Sequence, residues 1–323
     1  MAQIKARIIG TGSYLPERIL TNFDLEKMVD TTNEWISART GIKERHIAAN
    51  DEQTSDLAMK AAQQALDMAG VSPEQIDMVV LATITGDFPW PSTACLVQDK
   101  IGAKNASAWD VSAACSGFVY ALASAAKFIE SGTCKRALVI GAEVLSRIID
   151  WEDRNTCILF GDGAGALLLG SSNEAGILST HIHSDGEYED LLYCPNPQTA
   201  TELNKDETGY VKMRGNEVFK VAVNTLGRIV DETLKANNMQ KSDVCWLVPH
   251  QANIRIIAAT AKKLKMPMDH VVLTLENQGN TSSASVLLAL NEAIRDGRIQ
   301  RGQVVLLEAF GAGFTWGSAL IKY

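Results

Sequence analysis

Trp109-Asp110-Val111-Ser112-Ala113-Ala114-Cys115-Ser116-Gly117-Phe118 reads as the end of a strand, a turn of small residues and the start of a helix. Ala113, Ala114 and Gly117 let the chain turn sharply and lie close to its neighbours. A thiol at the start of a helix faces the positive end of the helix dipole. That placement is expected to favour the thiolate and lower the Cys115 pKa. A thiolate there suits attack on a thioester carbonyl. An isolated buried cysteine is more often a small core residue, so the turn narrows the choice without settling it.

Outward from this turn, apolar strands alternate with helices. Ser55–Ala69 has helical spacing, with Gly70 and Ser72-Pro73 ending it. Ile76–Ile84, Ala106–Val111, Arg136–Ala142 and Cys157–Leu169 read as strands, and Thr93–Ile101 and Ser116–Ser131 as helices. The second half repeats the order. Glu217–Asn237, Ala252–Lys265 and Thr281–Asp296 read as helices, and Val244–Pro249, Val271–Leu275, Val304–Ala309 and Thr315–Ile321 as strands. Buried strands alternating with helices predict α/β layers rather than a bundle or a sandwich. Two such halves packed together predict five layers, α-β-α-β-α, about a pseudo-twofold axis. The boundary is expected near Ser171–Glu174, giving halves 1–172 and 173–323.

The second half supplies two further candidates. Trp246-Leu247-Val248-Pro249-His250-Gln251-Ala252-Asn253 puts His250 at the carboxyl end of an apolar strand, where α/β sheets bind ligands. Asn280, in Glu276-Asn277-Gln278-Gly279-Asn280-Thr281-Ser282, follows a strand and precedes a helix. By the repeat it takes the second half's counterpart of the Cys115 turn. Each has an ordinary alternative: a structural histidine, and a helix N-cap. Gly311-Ala312-Gly313 reads as a tight turn between the closing strands.

The totals narrow the function classes. The 323 residues carry a formal net charge of −8, and 46% are hydrophobic. An acidic chain is a poor match for nucleic acid. Six cysteines, none in a C-x-x-C pair, do not read as a zinc site or disulfide framework. No signal-peptide pattern opens the chain, and no apolar run reaches about 18 residues, so a cytoplasmic protein with reduced thiols is expected. Gly161-Asp162-Gly163-Ala164-Gly165 precedes an apolar strand rather than a helix, which argues against a dinucleotide loop. His181-Ile182-His183 with Asp185 reads as alternation along a strand rather than a metal site. No metal is expected.

Several of these stretches together resemble a known family. Gly10-Thr11-Gly12-Ser13-Tyr14-Leu15-Pro16, Glu34-Trp35-Ile36-Ser37-Ala38-Arg39-Thr40-Gly41-Ile42, Ala113–Phe118, Phe160–Ala164, Pro249–Asn253, Gly279–Ser282 and Phe310–Gly317 resemble the 3-oxoacyl-[acyl-carrier-protein] synthase III family nearly end to end. These are the initiating condensing enzymes of dissociated fatty acid synthesis. A Cys, His, Asn set separates them from thiolases, which carry Cys-His-Cys, and from elongating synthases, which carry Cys-His-His.

The resemblance implies a thiolase-like fold and an acyltransferase that condenses a short acyl-coenzyme A with malonyl-acyl carrier protein. It implies Cys115 as acyl acceptor, His250 and Asn280 as donors to the enolate, and the backbone N–H groups of Cys115 and Ala312 as oxyanion hole. The family often has Gly at the Ala312 position. Coenzyme A, the only cofactor-like molecule implied, would meet Trp35 and Arg154 at its adenine, Arg39 at phosphate, and Asn253 and Gly215 along the pantetheine. Trp90 falls where a partner subunit closes the acyl pocket, and its bulk favours a short primer such as acetyl. Lys220, Arg255, Lys262 and Lys263 would receive the acidic carrier protein. A homodimer is implied as well. The competing readings are a papain-like Cys-His-Asn hydrolase and an idle binding module. The duplicated α/β order speaks against the first, and the intact three-residue set against the second.

Overall fold

The computed structural model describes residues 4–174, 176–199 and 208–323. The first half runs β1 (Lys5–Tyr14), β2 (Arg18–Thr21), α1 (Asn22–Leu25), α2 (Asn33–Thr40), β3 (Glu44–Ile47), α3 (Thr54–Ala69), β4 (Met78–Ala82), α4 (Thr93–Lys100), β5 (Ser107–Val111), α5 (Gly117–Glu130), β6 (Arg136–Glu143) and β7 (Gly163–Ser172). The second runs β8 (Ile177–Ser184), β9 (Leu192–Tyr193), β10 (Lys212–Met213), α6 (Gly215–Ala236), β11 (Trp246–Pro249), α7 (Ile254–Leu264), α8 (Leu275–Gln278), α9 (Ser285–Arg295), β12 (Val304–Gly311) and β13 (Thr315–Lys322).

One sheet has the order β1-β7-β6-β4-β5 and the other β8-β13-β12-β11. Their pairings match strand for strand. β1–β7 and β7–β6 are antiparallel and β6–β4 is parallel, as β8–β13 and β13–β12 are antiparallel and β12–β11 is parallel. A parallel bridge from Leu247 to Val271 stands where β5 stands in the first sheet. The thiolase-like layers follow. α5 and α9 lie between the sheets, α3 and α4 cover the outer face of one, and α6 and α7 that of the other.

Burial explains the partition. α5 and α9 are apolar around most of their circumference, through Phe118, Val119, Leu122, Ala125 and Ile129 and through Val286, Leu287, Leu290 and Ala293. A helix sheathed on both sides must be. α6 buries one stripe only, Ala222, Leu226, Ile229, Val230 and Leu234, and turns charge outward.

Two strand expectations are corrected. Cys157–Phe160 is a turn, and the strand begins at Gly163. Val271–Leu275 holds a single bridge, and Leu275 already starts α8. Both are short apolar runs that a core uses without ladder pairing, so periodicity could not separate the cases.

Candidate active site

Cys115 sits in a tight 3-10 turn, Ala114–Ser116, between β5 and α5. Ala114 adopts φ of +45°, in the left-handed region that few L-residues enter, and this bends the strand into the helix. The β12–β13 hairpin lies directly on the turn. A Cβ built on Gly311 would fall 2.7 Å from the Cys115 nitrogen, so only glycine allows this approach. Thr315 Oγ1 donates to Ala113 O at 2.9 Å and receives Ser116 Oγ at 2.6 Å, locking hairpin and turn together. Among the described residues no backbone carbonyl accepts the Cys115 or the Ala312 N–H.

The thiol does not follow the helix-dipole expectation. Burial pushes Cys115 up to about 12, with the Ser282 hydroxyl pulling it down and Glu143 pushing further up. Desolvation disfavours the thiolate, and it acts in the opposite direction to the helix dipole.

His250 follows β11, and its N–H donates to Glu308 O at 2.8 Å. Its ring is buried, which drives its pKa down to about 3 and leaves a neutral imidazole. Nδ1 lies 2.5 Å from Ser285 Oγ, and Nε2 has no partner among the described residues. Gln251 braces the loop: Nε2 donates to Pro249 O and Val272 O, and Oε1 accepts the Thr274 and Leu275 N–H groups.

Asn280 is held on both sides by the segment before β7. Its N–H donates to Leu159 O at 2.9 Å and its carbonyl accepts the Gly161 N–H at 3.0 Å. Its Oδ1 accepts the Ser282 N–H at 2.8 Å, which fixes the carboxamide orientation and leaves the NH2 to donate. Behind it the fully buried Arg45 reaches Ile158 O at 2.7 Å and Asn22 Oδ1 at 3.0 Å. Burial draws that guanidinium down to about 10.

The repeat expectation for Asn280 needs correction. The 3-10 turn Ser282–Ala284 before α9 matches Ala114–Ser116 before α5, and Ser282 has φ of +49°. Ser283 is therefore the counterpart of Cys115, and Asn280 that of Ser112. Ser283 Oγ is consumed by Ala82 O at 2.9 Å and Glu143 Oε1 at 2.8 Å.

Cys115, His250 and Asn280 line one pocket of about 550 Å³, with Phe160, Glu308 and Phe310 nearby and Trp35, Arg39, Gly215, Asn253 and Arg255 also on its walls. Arg154 is not on those walls, but its guanidinium lies 5.1 Å from the Trp35 ring centre, and Arg39 lies 4.5 Å from it. Asn253 caps α7 and donates to Arg39 O at 3.0 Å, tying two walls together. Trp90 is 84% exposed on the outer surface and is not part of this chain's pocket. Lys220, Arg255, Lys262 and Lys263 are exposed on α6 and α7. Arg255 stacks 4.9 Å over Phe219, and Lys263 pairs with Asp231 at 2.6 Å.

Sequence reasoning missed Glu308 and Ser285. Glu308 is a buried carboxyl on the pocket wall, and burial raises it to about 8 while the nearby Thr260 hydroxyl pulls it down. A lone acid inside the apolar run Val304–Phe310 was its signal. Ser285, inside the helical run after Asn280, carried none.

The five-layered fold, with a buried cysteine turn facing a histidine and an asparagine from the other half, defines a thiolase-like acyltransferase of the condensing class. Residues 109–186 match the model of 3-oxoacyl-[acyl-carrier-protein (ACP)] synthase III, and residues 234–323 match the model of its C-terminal part. The chain is 61% identical over 318 residues to a beta-ketoacyl-[acyl-carrier-protein] synthase III of Methylococcus capsulatus, covering 98% of this chain and 99% of that one. It is 61% identical over 320 residues to that of Alkalilimnicola ehrlichii, with 98% and 99% covered. The crystal structure of 3-oxoacyl-[acyl-carrier-protein] synthase III from Aquifex aeolicus superposes with a TM-score of 0.93 at 49% identity, covering 98% and 100%. The chain belongs to the 3-oxoacyl-[acyl-carrier-protein] synthase III family, acyltransferases of the condensing reaction that initiates fatty acid synthesis.

Proposed function

We propose that this chain transfers a short acyl group, acetyl by preference, from coenzyme A to Cys115 and condenses it with malonyl-acyl carrier protein. The observation that carries the reading is one pocket lined by Cys115, His250 and Asn280 together with Trp35 and Arg39. Halves 1–172 and 173–323 each contribute, the first the nucleophile and the second the two donors.

The thiol attacks the acyl thioester. The Cys115 and Ala312 N–H groups take up the charge on the carbonyl oxygen. The proton lost from Cys115 ends on the coenzyme A sulfur, so the exchange is neutral. Malonyl thioester then binds, and its carbonyl oxygen accepts from His250 Nε2–H and the Asn280 NH2. Loss of carbon dioxide leaves enolate charge on that oxygen, where each such donor lowers the barrier by about 3 kcal/mol. The enolate carbon attacks the acyl-Cys115 carbonyl, the carbon–sulfur bond to Cys115 breaks, 3-oxoacyl-carrier protein leaves, and the Cys115 thiolate takes up one proton from solvent to return to the thiol.

Adenine binding between Trp35 and Arg154 requires the two to part, because at 5.1 Å from the Trp35 ring centre the Arg154 guanidinium leaves no room for a stacked base. Arg39 is placed for phosphate, and Gly215 and Asn253 for the pantetheine. Lys220, Arg255 and Lys262 offer the acidic carrier protein positive charge beside the pocket. Lys263 is partly neutralised by Asp231. Exposed Phe88 and Trp90 suit a homodimer in which Trp90 shortens the partner's acyl pocket. Among the described residues no helix is long and apolar enough to cross a membrane; we place the enzyme in the cytoplasm with its substrates. The test supplies labelled acetyl-coenzyme A and looks for added mass on the Cys115 peptide, then for 3-oxoacyl product when malonyl-carrier protein is added. Label with hydrolysis alone would sink the condensing reading.

A further inference from the structure

The protons of the His250–Ser285 pair can be assigned from geometry. Ser285 is 1% exposed and His250 6%. Ser285 Oγ meets two groups among the described residues: His250 Nδ1 at 2.5 Å and the Gln251 N–H at 3.3 Å. An N–H cannot accept. A buried hydroxyl proton needs an acceptor, and the ring nitrogen is the one in reach. Nδ1 therefore carries no proton. A neutral imidazole holds its single proton on the other nitrogen, and burial keeps this ring neutral. Nε2 is the atom without a protein partner, on a residue that lines the pocket.

We propose that Ser285 is a positioning residue for the condensation: its hydroxyl fixes His250 as the Nε2–H tautomer, so the ring donates into the pocket and does not accept from it. Gln251 completes the device. Its N–H occupies an Oγ lone pair and turns the hydroxyl proton toward Nδ1, while its carboxamide pins the loop. The inference rests on the proposed role of His250 toward the enolate. An Nε2 lone pair would repel that oxygen, whereas an Nε2–H stabilises it. It follows that His250 is not the acceptor of the Cys115 proton, which the neutral thiol exchange does not require.

Two measurements test it. Nitrogen-15 correlation spectra of the full-length enzyme labelled at its five histidines, with His250 assigned by its absence in His250→Gln, are expected to show Nε2 protonated and Nδ1 bare at neutral pH. A protonated Nδ1 overturns the proposal. This readout needs no turnover, so failure of Cys115 to acylate would count against the proposed function and leave the tautomer result standing. Ser285→Ala is then expected to lower malonyl decarboxylation on the order of 100-fold, as mis-set tautomers and lost enolate donors do. Acyl transfer to Cys115 should fall far less, and Ser285→Thr, which keeps the hydroxyl, should restore most of the loss. Equal losses in both half-reactions, or none in either, overturn it. If Ser285→Ala does not fold, Ser285→Thr and the wild-type spectrum still decide.

Discussion

The turns Ala113–Gly117 and Thr281–Ser285 are the same piece of backbone used twice. Each leads from its half into a central helix through a 3-10 turn opened by a non-glycine residue at positive φ, Ala114 in one and Ser282 in the other. At the matched position the first turn carries Cys115, on the wall of the pocket. The second carries Ser283, sealed and bonded to Ala82 O and Glu143. Gly141 allows the second turn to sit on the first sheet, since a Cβ there would meet Ser283 O at 2.3 Å. One turn therefore has its apex free for chemistry, and the other spends its apex holding the halves together. The second half's proposed chemistry is moved three residues upstream, to Asn280. A duplicated fold can keep its geometry while dividing labour, because what an apex side chain does depends on what faces it.

Replacing the free apex should have the largest effect. Cys115→Ser is expected to reduce condensation on the order of 10³-fold or more, read as loss of the acylated peptide and of 3-oxoacyl product. The reciprocal change, Ser283→Cys, should leave the new thiol unlabelled by acetyl-coenzyme A. Label on the peptide that carries this substitution would break the comparison, since the second apex would then be open.

Next comes Asn280→Asp. A carboxylate would face developing negative charge where the carboxamide donates, so malonyl decarboxylation should fall roughly 10²–10³-fold. Acylation of Cys115 should persist. Loss of both steps together would mean that Asn280 shapes the pocket rather than serving the second half-reaction.

The thiol's protonation sharpens the contrast further. Because burial pushes Cys115 up to about 12, the thiolate fraction should climb about tenfold per pH unit across the neutral and alkaline range. Iodoacetamide alkylation, followed by mass on the Cys115 peptide between about pH 6 and 9, should rise throughout. A plateau near neutrality would show that the helix terminus outweighs enclosure.

The smallest effect belongs to the sealed apex. Ser283→Ala removes a sealed hydroxyl that lies against Ala82 O and Glu143 but no proposed reacting group. It should cost roughly 1–3 kcal/mol of stability, measured by urea unfolding, while the Cys115 acylation rate changes little.

Much of this was legible before any coordinates. Local chemistry marked Cys115 and His250, because a small-residue turn before a helix and a histidine closing an apolar strand are both written within one short stretch. Asn280 was legible as a residue, but its position in the turn was not, because matching the two halves needs the φ values of Ala114 and Ser282. Arg154 and Trp90 drew attention through the resemblance. The structure sets Arg154 against Trp35 outside the pocket wall and Trp90 out on the surface. Glu308 and Ser285 went unread, since a side chain's partner from another strand or helix leaves no trace in its own neighbourhood.

By itself the sequence determined the alternation of strands and helices, the doubling of that pattern and the residues able to do chemistry, since these follow from periodicity and side-chain type along a local stretch. Only the tertiary structure decided that Cys115 is enclosed on a pocket wall, that His250 presents Nε2 and that Ser283 is a strut. Protonation and hydrogen-bond direction depend on which groups share a dry pocket, and those groups come from segments far apart in the chain.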